Sequence, residues 1–501
     1  MNSANSKVIQ RMVSGEMPPP GSGYPKVTKA EIDIVASYID NPRYWGGLPA
    51  ANCRDKNQAL DFDQLYQDIN RDLRGEDKDD RVFYRYISLS NRFTAGVCAE
   101  ALDTERQALV KMLNMLSIKA TVGDALPVND NETLYRIDLR DFDWDRAIQV
   151  ANAPFDDVWE AIAAANPYAV PFFGDDANDA KADTATDFPL MFADQMMDVA
   201  VIGNLYYAIV DVDINQTLGV FISEKLGINV QEDIDNDEAI RAGTTKSIIS
   251  RQDRLVERHD IVVRNGALWQ SFDFDDNAND SIFQDPFGFT PGGSEAIFTL
   301  PNGMLAYIIA DANDVIVQDS DILLDTSQDN HRAVTAVSCS TCHATGLIPV
   351  IDEVGPIAKA NARQIGLDRD EVEQLEALYV TPDAFERQVK EDSETFYQRA
   401  LQKALLPIAG GDPVGRVFAR FTDDVKIQDA AGDLGLTPDE LADTLDLLNP
   451  VLAVLKPSKA IPLGGTIDRD DFTAQFVGAL CFVTGTFENQ PDPAVCDLLE
   501  Q

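Results

Sequence analysis

One pentapeptide constrains this chain more than any other feature: Cys339-Ser340-Thr341-Cys342-His343. Two thiols three positions apart, followed at once by an imidazole, are the attachment signature of a c-type haem. The spacing has a chemical reason. From one tight helical turn both thiols reach the two vinyl groups of a single porphyrin, and the next residue presents its ring nitrogen to the iron from one face. The chain is therefore expected to build a short helical turn at residues 339–343, with one covalent haem c held by Cys339 and Cys342 and with His343 as proximal ligand. Two rival readings fit less well. Zinc wants four ligands, and only His259 and His331 remain as histidines elsewhere. A dithiol redox pair wants a preceding strand within a βαβ unit, and residues 335–338 are short for one.

The sixth coordination position decides what such a site does. A second strong ligand closes the iron for electron transfer, whereas an open face admits gases or peroxide. Four side chains are candidates. His259 lies in Arg258-His259-Asp260, where a carboxylate can orient the ring. His331 precedes Cys339 by eight residues. Met17 sits in a Met17-Pro18-Pro19-Pro20 loop, and Met304 follows a Pro301-Asn302-Gly303 turn, where it reads more readily as core.

Composition excludes several function classes. The 84 Asp and Glu against 41 Lys and Arg leave a formal charge of −43, which repels phosphate backbones and anionic lipid surfaces. A nucleic-acid partner is not expected. No run approaches the roughly 18 apolar residues of a membrane span. The remaining cysteines, Cys53, Cys98, Cys481 and Cys496, allow three pairings, and proximity favours Cys53 with Cys98 and Cys481 with Cys496. Such bonds need an oxidising compartment, as covalent haem attachment does, so a periplasmic, extracellular or cell-surface location is expected. The first residues carry no secretory signal, which suggests a longer precursor or a mis-assigned start. The loop 211–222 begins like a calcium site, but Gln216 stands where glycine is needed and Ile222 where the bidentate glutamate belongs.

With 501 residues and about 150 per domain, some three or four units are expected. Val8, Ile9, Met12 and Val13 recur at helical spacing, and Thr28 with Glu31 opens a second helix beyond the Met-Pro-Pro loop. Residues 53–117 read as mostly helical. Tyr135, Ile137 and Leu139 alternate with Arg136, Asp138 and Arg140, as in a strand with one wet face. Residues 175–187 read as an Asp- and Ala-rich loop, and 196–245 as mixed but mostly helical. A strand-rich stretch spans 267–324, with a hairpin about Pro301-Asn302-Gly303. From Asp352 onward the chain reads as helical, with Thr437-Pro438-Asp439-Glu440 as a helix start. The expected fold is α+β, predominantly helical, with a small strand-rich middle. Its units are 1–48 (the C-terminal half of a cytochrome c-like domain), 49–195 (helical with one strand), 196–350 (mixed, carrying the haem motif) and 351–501 (helical).

Several phrases resemble a family of large exported bacterial proteins that carry a single Cys-x-x-Cys-His motif, often after a small cytochrome c domain. They are Arg85-Tyr86-Ile87-Ser88-Leu89-Ser90, Tyr135-Arg136-Ile137-Asp138-Leu139-Arg140-Asp141, Arg254-Leu255-Val256-Glu257-Arg258-His259, Trp269-Gln270-Ser271-Phe272-Asp273-Phe274, Leu300-Pro301-Asn302-Gly303-Met304 and the stretch 338–354. No established reaction comes with the family. The resemblance implies a c-type haem protein and, because Glu257-Arg258-His259 belongs to its signature, moves His259 ahead of His331 as distal ligand. Three functions follow as expectations. The first is an exported monohaem cytochrome passing single electrons between redox partners such as other cytochromes. The second is a haem enzyme or gas or peroxide sensor with an open distal face. The third is a subunit of a surface assembly in which haem is a folding staple.

Overall fold

The computed structural model describes residues 7–14, 27, 29, 32, 60–97, 99–245, 253–274, 282–283, 285–324, 332–445, 466–484, 489–493 and 496. The Met17 loop, Cys53, Cys98 and His331 lie outside them. The fold is α+β, with 48% of residues helical and 18% in strands, the latter in several small sheets.

The first sheet combines β1 (Tyr84–Ser88), β2 (Leu126–Pro127), β3 (Leu134–Asp138) and β4 (Leu190–Phe192) in the order β2-β3-β1-β4. Only the β1–β4 pairing is parallel. The alternation read in β3 is present: Tyr135 and Ile137 are buried in the main core. The face expected to be wet is instead roofed by the helix Phe62–Gly75, whose Asp72 and C-terminal capping residue Glu76 pair with Arg136 at 2.9 and 2.7 Å. Strand β1 falls in a region read as helical. It is buried along its whole length, so it lacks the two-residue alternation that marks a half-exposed strand.

The second sheet is an antiparallel meander of six: β5 (Ile240–Thr244), β6 (Arg254–Ile261), β7 (Gly266–Asp273), β8 (Gly293–Thr299), β9 (Leu305–Asp311) and β10 (Ile316–Val317). The hairpin β8–β9 closes where Pro301-Asn302-Gly303 predicts, with the Leu300 N–H donating to the Met304 carbonyl at 2.7 Å. Its register aligns Val256, Ser271, Glu295 and Ile309 across four strands, and Arg258, Trp269, Ile297 and Tyr307 two residues on. Because side chains alternate, these rows share one face with Arg254, while Glu257, His259, Leu268 and Phe298 occupy the other. The first face is covered by Phe385, Val389 and Phe396 from the helical stretch 382–398.

Residues 175–184 form a helix, not the loop that their polarity suggests. Ala177, Ala180 and Thr184 give it a narrow buried stripe, and Asp175 and Asp176 suit its positive N-terminal end. A second core joins Phe62, Tyr66, Tyr168 and Phe172 to Phe421, Phe472 and Phe476. Packing therefore crosses the boundary expected at 350, because helical periodicity identifies an apolar face without identifying its partner. Thr437 and Glu440 form the expected reciprocal cap, and Cys481 is joined to Cys496, as proximity suggested.

Candidate functional site

The pentapeptide occupies the short helix Val337–Cys342 and the residue after it. A short strand, Arg332–Val334, leads into it, and the turn between them places Ala336 at φ +67°, ψ −60°. There the Val337 N–H reaches back to the Thr335 carbonyl at 3.0 Å. This is a tight γ-turn that L-residues rarely adopt, and such strain persists only where the surroundings impose it. The helix closes with the His343 N–H on the Cys339 carbonyl at 2.8 Å. Cys339 and His343 are half-buried, and Cys342 is exposed.

The protonation of His343 follows from one contact. Its Nδ1 lies 3.1 Å from the Gly346 carbonyl oxygen. A carbonyl can only accept, so Nδ1 carries the hydrogen and Nε2 keeps its lone pair for a metal. Burial lowers the pKa of His343 further, against Glu295 and the Gly346 carbonyl and with help from Arg254, so the ring is neutral. The turn that supplies the carbonyl requires glycine: Gly346 has φ +129°, and a Cβ there would meet Ser393 at 2.8 Å.

Burial, followed by the charge of Glu295, pushes the Cys339 thiol well above its ordinary pKa. A reactive dithiol needs the opposite shift, so the redox-pair reading loses support. Two thiols and a neutral imidazole with a free Nε2 match the donor set for thioether attachment of porphyrin. The fit rests on the chain's own residues, chiefly the Gly346 contact.

The surroundings come from distant parts of the sequence. The Tyr307 ring, 2% exposed, lies 6.3 Å from that of His343. Behind it on the same sheet face, Arg254 pairs with Glu295, lies 3.6 Å from Asp273 and donates to Ser271 at 2.5 Å. A π-helical segment, Ser393–Gln398, clamps the turn after His343. Ser393 Oγ accepts from the Leu347 N–H at 2.9 Å, Tyr397 Oη donates to the Ala344 carbonyl at 3.3 Å, and Gln398 Nε2 donates to that of Thr345 at 2.9 Å. Wide helical turns of this kind recur at functional sites.

His259 is not brought to this site. It projects from the opposite sheet face to Arg254, Glu295 and Tyr307, and it is fully buried. Its Nδ1 is 2.7 Å from Asp233 and its Nε2 is 2.9 Å from Glu257, so neither nitrogen is available to iron. The structure therefore does not bring the expected distal ligand to His343: two carboxylates hold the His259 ring. Met304 is fully buried in the main core, in accord with its sequence reading. Among the described residues no three of His, Cys, Asp and Glu are grouped to hold a metal ion.

Sequence reading missed Arg254, Glu295, Tyr307, Lys111 and Asp412. Arg254 stands in the same phrase as His259, five positions away. An odd separation on one strand puts the two on opposite faces, and recognising that strand is the signal that separates them. No family model, no curated protein and no solved structure matches this chain.

Proposed function

We propose that the chain is an exported monohaem c-type cytochrome that passes single electrons between redox partner proteins. The observation that carries this reading is the commitment of His343 Nδ1 to the Gly346 carbonyl, directly after the paired cysteines. That contact fixes the tautomer and orients the ring, so Nε2 is ready as an axial ligand. Cys339 and Cys342 are the thioether anchors. When bound, the haem supplies reversible one-electron exchange at its iron. The protein's own contributions are to hold the ring plane of His343, to keep its proton on Nδ1 and to shield one side with Tyr307. Exposure of Cys342 favours a porphyrin edge near the surface, where transfer to a partner needs it. A formal charge of −43 steers a basic partner toward the molecule.

The dithionite-reduced protein, matured in an export-competent host, should show the α band of a c-type haem. In Cys342→Ala the band should be lost or displaced, because one vinyl group is then unsubstituted. A reduced spectrum without such a band contradicts the reading.

A further inference from the structure

Between the cysteines, Ser340 points away from the half-exposed face and into a buried polar chain, while Thr341 is exposed and donates to the Val337 carbonyl at 2.7 Å. Ser340 Oγ donates to Asp412 Oδ2 at 2.6 Å, and the other oxygen of Asp412 accepts from Lys111 Nζ at 2.8 Å. Ser340, Asp412 and Lys111 are 1%, 3% and 3% exposed. Asp412 also caps the helix Pro413–Thr422, accepting from the Val414 N–H at 3.1 Å. Against Thr341, that helix has Gly415, where a Cβ would fall 2.1 Å from the Thr341 hydroxyl. Lys111 Nζ lies 5.6 Å from the centre of the Tyr397 ring, and Tyr397 in turn holds the Ala344 carbonyl. One carboxylate thus ties together a lysine 301 residues upstream, the motif helix and the start of a third helix.

This arrangement is costly unless it has a use. A buried ion pair loses hydration that its mutual attraction barely repays, and an apolar pair of the same size often serves stability as well. We propose that Asp412 is the positioning residue of the attachment turn, and that the Lys111–Asp412 pair sets the electron affinity of the group held there. The inference rests on the haem reading of the preceding section. Through Ser340 the carboxylate fixes the helix that aims His343. The ammonium of Lys111 balances a negative charge that would otherwise stabilise the oxidised iron across a poorly screening interior. With Lys111 removed, Asp412 still accepts from the Ser340 hydroxyl and the Val414 N–H.

The test uses the holoprotein and three variants, read by midpoint potential and by the electron paramagnetic resonance g-values of the oxidised form, which follow the orientation of the ring that holds the iron. Lys111→Met should shift the midpoint to more negative values, and Lys111→Met/Asp412→Asn should return it toward wild type. Ser340→Ala leaves both charges in place and removes only a hydroxyl, and it should shift or broaden the g-values. A wild-type midpoint in Lys111→Met overturns the charge role, and unaltered g-values in Ser340→Ala overturn the positioning role. Should Lys111→Met fail to fold, Ser340→Ala decides. If the wild-type chain itself carries no covalent porphyrin, the haem reading fails first. If wild type is loaded and the variants match it, the inference fails alone.

Discussion

Replacing His259 by alanine should lower the stability of the protein by about 3–5 kcal/mol and leave the optical spectrum of the folded molecule unchanged. The magnitude comes from what the imidazole does in the dry side of the six-stranded sheet. Burial alone would strip its proton, but hydrogen bonds and charge from Glu257 and Asp233 outweigh burial and raise its pKa above the ordinary value. Glu257, 1% exposed, shares its carboxylate between His259 and the buried Arg241. Asp233 belongs to the helix Val230–Asp235, so the same ring ties that helix to β6. Truncation leaves one buried carboxylate half-compensated, detaches the helix and opens a cavity. Chemical denaturation followed by tryptophan fluorescence measures the loss, and the ferric spectrum of the same samples measures ligation. A change to a high-spin spectrum in His259→Ala would return this residue to the iron. The pH dependence has a definite sign. A raised imidazole pKa adds stability that is complete below about pH 6.5 and disappears as pH rises through the folded-state value.

The second large effect centres on Asp433. It is 5% exposed, and its nearest carboxylate is that of Asp194, with Asn91 Nδ2 bridging the two at 2.7 and 3.0 Å. Asp429 adds a further negative charge nearby, while Arg92 opposes it, and Arg420 pairs with Asp194 at 3.0 Å. Burial, then repulsion from Asp194, pushes the carboxyl of Asp433 up to about 7. A carboxyl whose pKa is raised on folding favours the folded state while protonated in it, so stability should fall as pH climbs from about 4 through about 7. A rise of about three units, at about 1.4 kcal/mol per unit, caps the loss at about 4 kcal/mol. Asp433→Asn keeps an oxygen to accept from Asn91 and carries no charge. It should be more stable than wild type at pH 8, by a few kcal/mol, and close to wild type at pH 4.5. Equal unfolding midpoints for the two proteins at pH 8 would show that folding does not raise the pKa of Asp433.

The parts of this architecture that were legible in the sequence are those with local causes. The hairpin at Pro301-Asn302-Gly303, the start at Thr437-Pro438, the pairing of Cys481 with Cys496 and the helical turn at 339–343 all follow from residues close together in the chain. Strand β1 was hidden because burial on both faces erases period-two alternation. The helix 175–184 was hidden because two alanines and a threonine bury a stripe too narrow to register against five acidic or amide neighbours. At the site, the pentapeptide announced itself, while its framework did not. Asp412 and Lys111 lie 72 and 229 positions from Ser340, and nothing local to either residue marks it as a partner. His259 misled for a related reason. Its neighbours Arg258 and Asp260 suggested a ligand role, but Glu257 and Asp233, the latter 26 residues away, take both its nitrogens.

The most direct test of the whole account is the intact mass of the purified chain, matured where haem ligation machinery operates and measured after denaturation in acid and organic solvent. The account predicts the polypeptide plus one porphyrin, with the added mass localised to the peptide bearing Cys339 and Cys342. A mass equal to the polypeptide alone, or an addition that washes away on denaturation, would contradict it.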